Sequence, residues 1–179
     1  MKSMNSVKSI CIILALAFIG CSSLNRTSNF EDFQCYPESV YLFRHAEKQI
    51  IKGEKNPELT RDGFARSDQL AEVLKDVQNG IIYSSEFKRT QQTVNPLANV
   101  WNTNVKIHTA HDPEGQIERA LSHCGKTVII SGHSNTLPNL IGLFGIVDEI
   151  TISDDQYGDL FQIQWKDGKP VLTVTQVSI

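Results

Sequence analysis

Nowhere in the 179 residues do lysines and arginines form a run long enough to make a nucleic-acid footprint, and the formal net charge is -3. That balance argues against DNA or RNA as a partner. No internal repeat and no low-complexity tract is present, which leaves one ordinary globular domain as the reading of the main part of the chain. Long apolar runs are scarce too. The one that stands out, Ile10 to Ile19, is too short for a comfortable membrane span. With Lys2 and Lys8 before it and Gly20-Cys21 after it, residues 1–20 read as a signal peptide, the alternative being a single anchor helix. Cysteines number only four. Cys11 lies in the signal segment and Cys21 directly follows it, so Cys35 and Cys124 remain, and in an oxidising compartment two such thiols invite a disulfide.

What is present is a regular alternation. Val40 to Phe43 ("VYLF") reads as a strand buried on both faces. A polar loop from Glu47 to Glu58 leads to a helical stretch over residues 59–80, with Phe64, Leu70, Ala71, Leu74 and Val77 on one face and Gly80 at its stop. "IIYSS" is a second strand, with Ser84 or Ser85 placed to cap a helix over 86–101 that Pro96 should interrupt or bend. "VKIH" is a third strand. "DPEGQIERALSHCG" is a helix with Asp112 at its N-cap and Pro113 at its first position. "TVIISG" is a fourth apolar strand, and "HSNTLPNLIGLFG" a helix ending at Gly145. "LFQIQW" and "PVLTVTQV" form a hairpin around "KDGK". Alternating strands and helices closed by a hairpin predict a three-layer α/β/α sandwich with a mostly parallel sheet.

In such sheets ligands bind beyond the carboxyl ends of the strands. There the first strand delivers Arg44-His45, the second Ser84-Ser85 with Arg89 just after, and the fourth Gly132-His133. Arginine forks and helix N-termini suit a doubly charged oxyanion, phosphate above all. An imidazole among them can attack phosphorus and form a phosphohistidine that water then hydrolyses.

"RHAEK" at 44–48, "LTRDG" at 59–63, "SSEFKRTQQT" at 84–93 and "GHSNT" at 132–136 together resemble the histidine phosphatase superfamily, the phosphoglycerate-mutase-like fold, over residues 35–179. The resemblance implies His45 as the phosphorylated nucleophile and Arg44, Arg89 and His133 as the phosphate-binding set. It also implies the Gly63 carbonyl as acceptor for the nucleophile's Nδ1–H. Ser134 stands where the acid-phosphatase and phytase branch has Asp. The general acid must therefore come from elsewhere, and among His111, Asp112 and Glu114 the expectation falls on Asp112. Small phosphohistidine phosphatases of the superfamily manage without a dedicated acid. A phosphohistidine or phosphoramidate phosphatase is therefore an alternative to phosphomonoester hydrolysis, and a non-catalytic phosphate- or phosphoglycan-binding module is another. No cofactor is implied. A metal site built from His108, His111, His123 and His133 is disfavoured, because two arginines repel a cation.

The end of the apolar run resembles a bacterial lipobox, which implies a diacylated Cys21, a flexible tether over 21–34 and anchoring outside the cytoplasm, at the outer membrane or in the periplasm. The partners expected are a small phosphorylated substrate and the lipid bilayer. In the sheet that the resemblance implies, the strands after Cys35 and Cys124 are parallel neighbours, which brings the two thiols to one end for a disulfide.

Overall fold

The computed structural model describes residues 35–77 and 80–179. The signal segment, Cys21 and the tether lie outside the described residues. Ten elements follow one another: β1 (Ser39–Arg44), α1 (Arg61–Leu74), β2 (Gly80–Ser85), α2 (Lys88–Val100), β3 (Val105–His108), α3 (Pro113–Leu121), β4 (Thr127–Gly132), α4 (Leu137–Leu143), β5 (Asp159–Lys166) and β6 (Lys169–Gln176). The strands form one six-stranded sheet in the order β3-β2-β4-β1-β5-β6. The first four strands run parallel, and β5 and β6 are antiparallel additions.

Alternation along the central strands divides the core. Val40, Leu42, Val128 and Ile130 face α3 and α4, meeting Ile117, Leu121, Leu137 and Ile141. Phe43, Ile82 and Ile129 face α1 and α2, meeting Leu70, Leu74, Val94 and Leu97. This is the expected three-layer sandwich. Burial on both faces explains why β1 and β4 read as unbroken apolar runs. At the far end of the sheet the hairpin turns through Asp167 and Gly168, both at positive φ (52° and 74°), the backbone of a type I′ turn.

Three local expectations need correction. Phe64 is 43% exposed, because the inward face of α1 is led by Gly63 and continues through Ser67, Leu70, Ala71 and Leu74. A Cβ at Gly63 would lie 2.3 Å from the Glu47 carbonyl oxygen, so only glycine lets the helix start so close to the β1 exit. Ser84 and Ser85 do not cap α2: both are buried within β2, and the cap position falls to Phe87, which makes no side-chain cap bond. Pro96 neither interrupts nor ends α2, which runs from Lys88 to Val100. Proline removes the donor for the carbonyl four residues earlier. That carbonyl, on Gln92, accepts instead from the Ser67 hydroxyl of α1 at 3.0 Å, and Thr93 O accepts from the same hydroxyl at 2.8 Å.

Cys35 and Cys124 are joined by a disulfide, with Cα atoms 5.6 Å apart. They lie just before the amino ends of β1 and β4, whose registers start together at Ser39 and Thr127.

Candidate active site

At the carboxyl end of the sheet Arg44 and Gly132 are register partners, and His45 N–H donates to Gly132 O at 3.0 Å. The side chains of Arg44, His45 and Arg89 meet those of Lys48, Phe87, His111, His133, Ser134 and Asp154 around a cavity of about 220 Å³. Four of the residues read from the sequence, Arg44, His45, Arg89 and His133, are therefore brought to one place. The rings of His45 and His133 stand 5.3 Å apart, edge to face.

Each imidazole has a definite tautomer. His45 Nδ1 lies 2.8 Å from the Ala46 carbonyl. A carbonyl only accepts, so Nδ1 carries the proton and Nε2 keeps its lone pair. The expected acceptor was the Gly63 carbonyl; the Ala46 carbonyl takes that place instead. Burial pushes the pKa of His45 from 6.5 down to about 3. The Ala46 carbonyl pulls the other way, and the charges of Arg89, His133 and Arg44 lower it further. His45 is therefore neutral at pH 7. For His133, burial and then Arg89 push the value down to about 4, against a pull from Glu86. Arg89 Nη2 donates toward its Nδ1 at 3.4 Å, so Nε2–H donates to the Ser85 hydroxyl at 2.9 Å. Ser85 lies 2.8 Å from the Thr90 hydroxyl, which donates to the Phe87 carbonyl at 2.7 Å. The chain fixes the ring from behind.

The arginines are held from the side. Arg44 spends Nη1 on the carbonyls of Ser153 and Gln156, 2.8 Å each, and its guanidinium lies 4.1 Å from the centre of the Tyr157 ring. Arg89 stacks over Phe87 at 4.4 Å. Burial and the charge of Arg44 lower the pKa of Arg89, as expected for two cations gathered together. The Nε–H groups of both arginines are buried and have no hydrogen-bond acceptor. Donors left in this state invite an anion, since an unmade bond at a buried charged group is costly.

Asp112 is not brought to the site. Its Oδ1 accepts from Gly115 N at 3.0 Å and its Oδ2 from Arg119 at 3.1 Å, which makes it the N-cap of α3. The Arg119 contact and the cap bond hold its carboxyl below the usual range, the wrong direction for a proton donor. Glu47, two residues after His45, is gripped by the Nε and Nη2 of Arg66. The sequence marks Ile152 to Phe161 as a stretch overhanging the site, but not the roles of Tyr157 and of the Ser153 and Gln156 carbonyls within it, nor Phe87. The aromatic-glycine pair Tyr157-Gly158 in a polar loop was their one visible signal. His108 and His123 do not join the cavity: His108 Nδ1 lies 3.1 Å from Thr109 O, and His123 Nε2 lies 2.8 Å from the Tyr83 hydroxyl. Among the described residues no group of three His, Cys, Asp or Glu could hold a metal ion.

Residues 40–112 match the family model of the histidine phosphatase superfamily, branch 1. Among curated proteins none matches significantly by sequence. Solved structures that share the fold include phosphoserine phosphatase from Entamoeba histolytica, in complex with 3-phosphoglyceric acid. It is 17% identical with TM-score 0.61, the match covering 79% of this chain and 97% of that one. Mycobacterial glucosyl-3-phosphoglycerate phosphatase is 13% identical with TM-score 0.62, over 79% and 100%. The family match thus takes in β1, the Arg44-His45 pair and Arg89, and the solved structures share the fold of the described domain.

Proposed function

We propose that the chain hydrolyses small phosphomonoesters through a phosphohistidine on His45. The observation that carries the reading is the pair of buried, unpaired Nε–H groups on Arg44 and Arg89 beside a neutral imidazole with a free Nε2. In this reading the phosphoryl oxygens take the arginine donors, and His45 Nε2 attacks phosphorus in line with the leaving oxygen. The P–O bond breaks as the N–P bond forms. Positive charge develops on the ring and is shared with the Ala46 carbonyl through Nδ1–H. Water then displaces the phosphoryl group, and the lone pair returns to Nε2. A cavity of about 220 Å³ suits a phosphoryl group with a compact leaving group rather than a polymer.

His45→Ala is the decisive variant. Turnover of p-nitrophenyl phosphate should vanish with the thermal transition intact. Wild-type enzyme quenched without acid during turnover should carry one added phosphate on His45. Turnover by His45→Ala at the wild-type rate would end this mechanism. Absence of turnover in the wild type would favour the binding-module alternative. The proposal extends to a lipid-anchored domain outside the cytoplasm, on the lipobox-like run ending at Cys21. Fatty-acid labelling that survives Cys21→Ser would refute that part.

A further inference from the structure

We propose that Asp154 is the general acid that protonates the leaving oxygen, an inference that rests on the phosphatase reading above. His45 is 3% exposed and lines the cavity from its buried side. In-line displacement puts the leaving oxygen opposite the nucleophile, at the open end. Asp154 is exposed there and is the one carboxylate among the cavity's lining residues, with Oδ1 3.5 Å from the Ser134 hydroxyl.

Five neighbouring acids are engaged elsewhere. Glu47 is held by Arg66, Glu86 accepts from Ala110 N at 2.9 Å, and Asp112 caps α3. Asp155 accepts from the Ser153 hydroxyl at 2.6 Å, and Asp159 accepts from the Gln156 amide. Asp154 is also aimed by the phosphate site itself. Residues 153–157 make a strap whose Ser153 and Gln156 carbonyls both bind Arg44 Nη1, with Asp154 between them. The group that holds phosphate and the group that protonates the leaving oxygen thus share one piece of backbone.

The step balances in protons. The Asp154 carboxyl proton passes to the departing alkoxide as the P–O bond breaks. The water that attacks the phosphohistidine passes its proton to solvent as inorganic phosphate leaves, and solvent returns one to the exposed Asp154 carboxylate.

The test compares Asp154→Asn with wild type on two substrates. An alkyl leaving group needs the proton and p-nitrophenolate hardly does. The variant should lose about 10²–10⁴-fold in kcat on glycerol 2-phosphate, stay within about threefold on p-nitrophenyl phosphate, and keep the inhibition constant of inorganic phosphate. Asp154→Glu should recover part of the alkyl rate. Equal slowing on both substrates, or weakened phosphate inhibition, would mean that Asp154 only shapes the strap and would overturn the proposal. Full alkyl activity in Asp154→Asn with selective loss in His111→Gln would overturn it in favour of the imidazole on the same rim. Either result leaves the phosphohistidine reading standing. A wild-type enzyme without turnover on either substrate overturns both.

Discussion

Replacing His45 by Asn should make the protein more resistant to acid, and the size of the effect follows from the site. In the folded chain His45 titrates at about 3, against 6.5 for an exposed imidazole. Between those values the unfolded chain binds a proton that the folded chain refuses. Stability is therefore full above about pH 6.5 and is lost as pH falls toward 3. At ~1.36 kcal/mol per pH unit the whole loss from this group is ~5 kcal/mol, of which roughly 3 lies above pH 4. Asparagine cannot charge, and its amide can still donate to the Ala46 carbonyl. Urea unfolding of both proteins at pH 7 and at pH 4 isolates the term, because carboxylates and His133 titrate equally in both. The variant should match wild type within about 1 kcal/mol at pH 7 and lose roughly 3 kcal/mol less on going to pH 4. Parallel losses, within about 0.5 kcal/mol, would mean that His45 is not held neutral by burial, and the argument for a free Nε2 would fall with it.

Two further outcomes follow from the same architecture. EDTA should leave turnover of p-nitrophenyl phosphate unchanged, since Arg44 and Arg89 supply the positive charge; loss on chelation with recovery on added zinc would refute this. Replacing both Cys35 and Cys124 by alanine opens a loop of sequence separation 89, which by chain entropy costs ~4.6 kcal/mol of stability. That variant should keep kcat while it stays folded, and an unfolding free energy within about 1 kcal/mol of wild type would contradict the entropic account.

Much of the fold was legible because central parallel strands advertise themselves. β1 and β4 are apolar on both faces, so "VYLF" and "TVIISG" stand out without any knowledge of their partners. Arg44, His45, Arg89 and His133 were legible because chemistry at strand ends is local. What failed to show was held by distant parts of the chain. The strap reaches Arg44 across 109 and 112 residues through backbone carbonyls, which every residue carries and no sequence pattern marks. Pro96 looked like a helix breaker because Ser67, the donor that rescues the carbonyl of Gln92, belongs to another helix. Asp112 was equally good on paper as a cap or as an acid, and only Arg119 and Gly115 distinguish the two roles.

The placement of the disulfide gives the domain an orientation. Cys35 and Cys124 precede the amino ends of β1 and β4, whereas the cavity opens past their carboxyl ends. Six residues of strand separate the two, roughly 20 Å at 3.3 Å per residue. Residue 35 thus joins the described domain at its disulfide end, on the far side from the pocket.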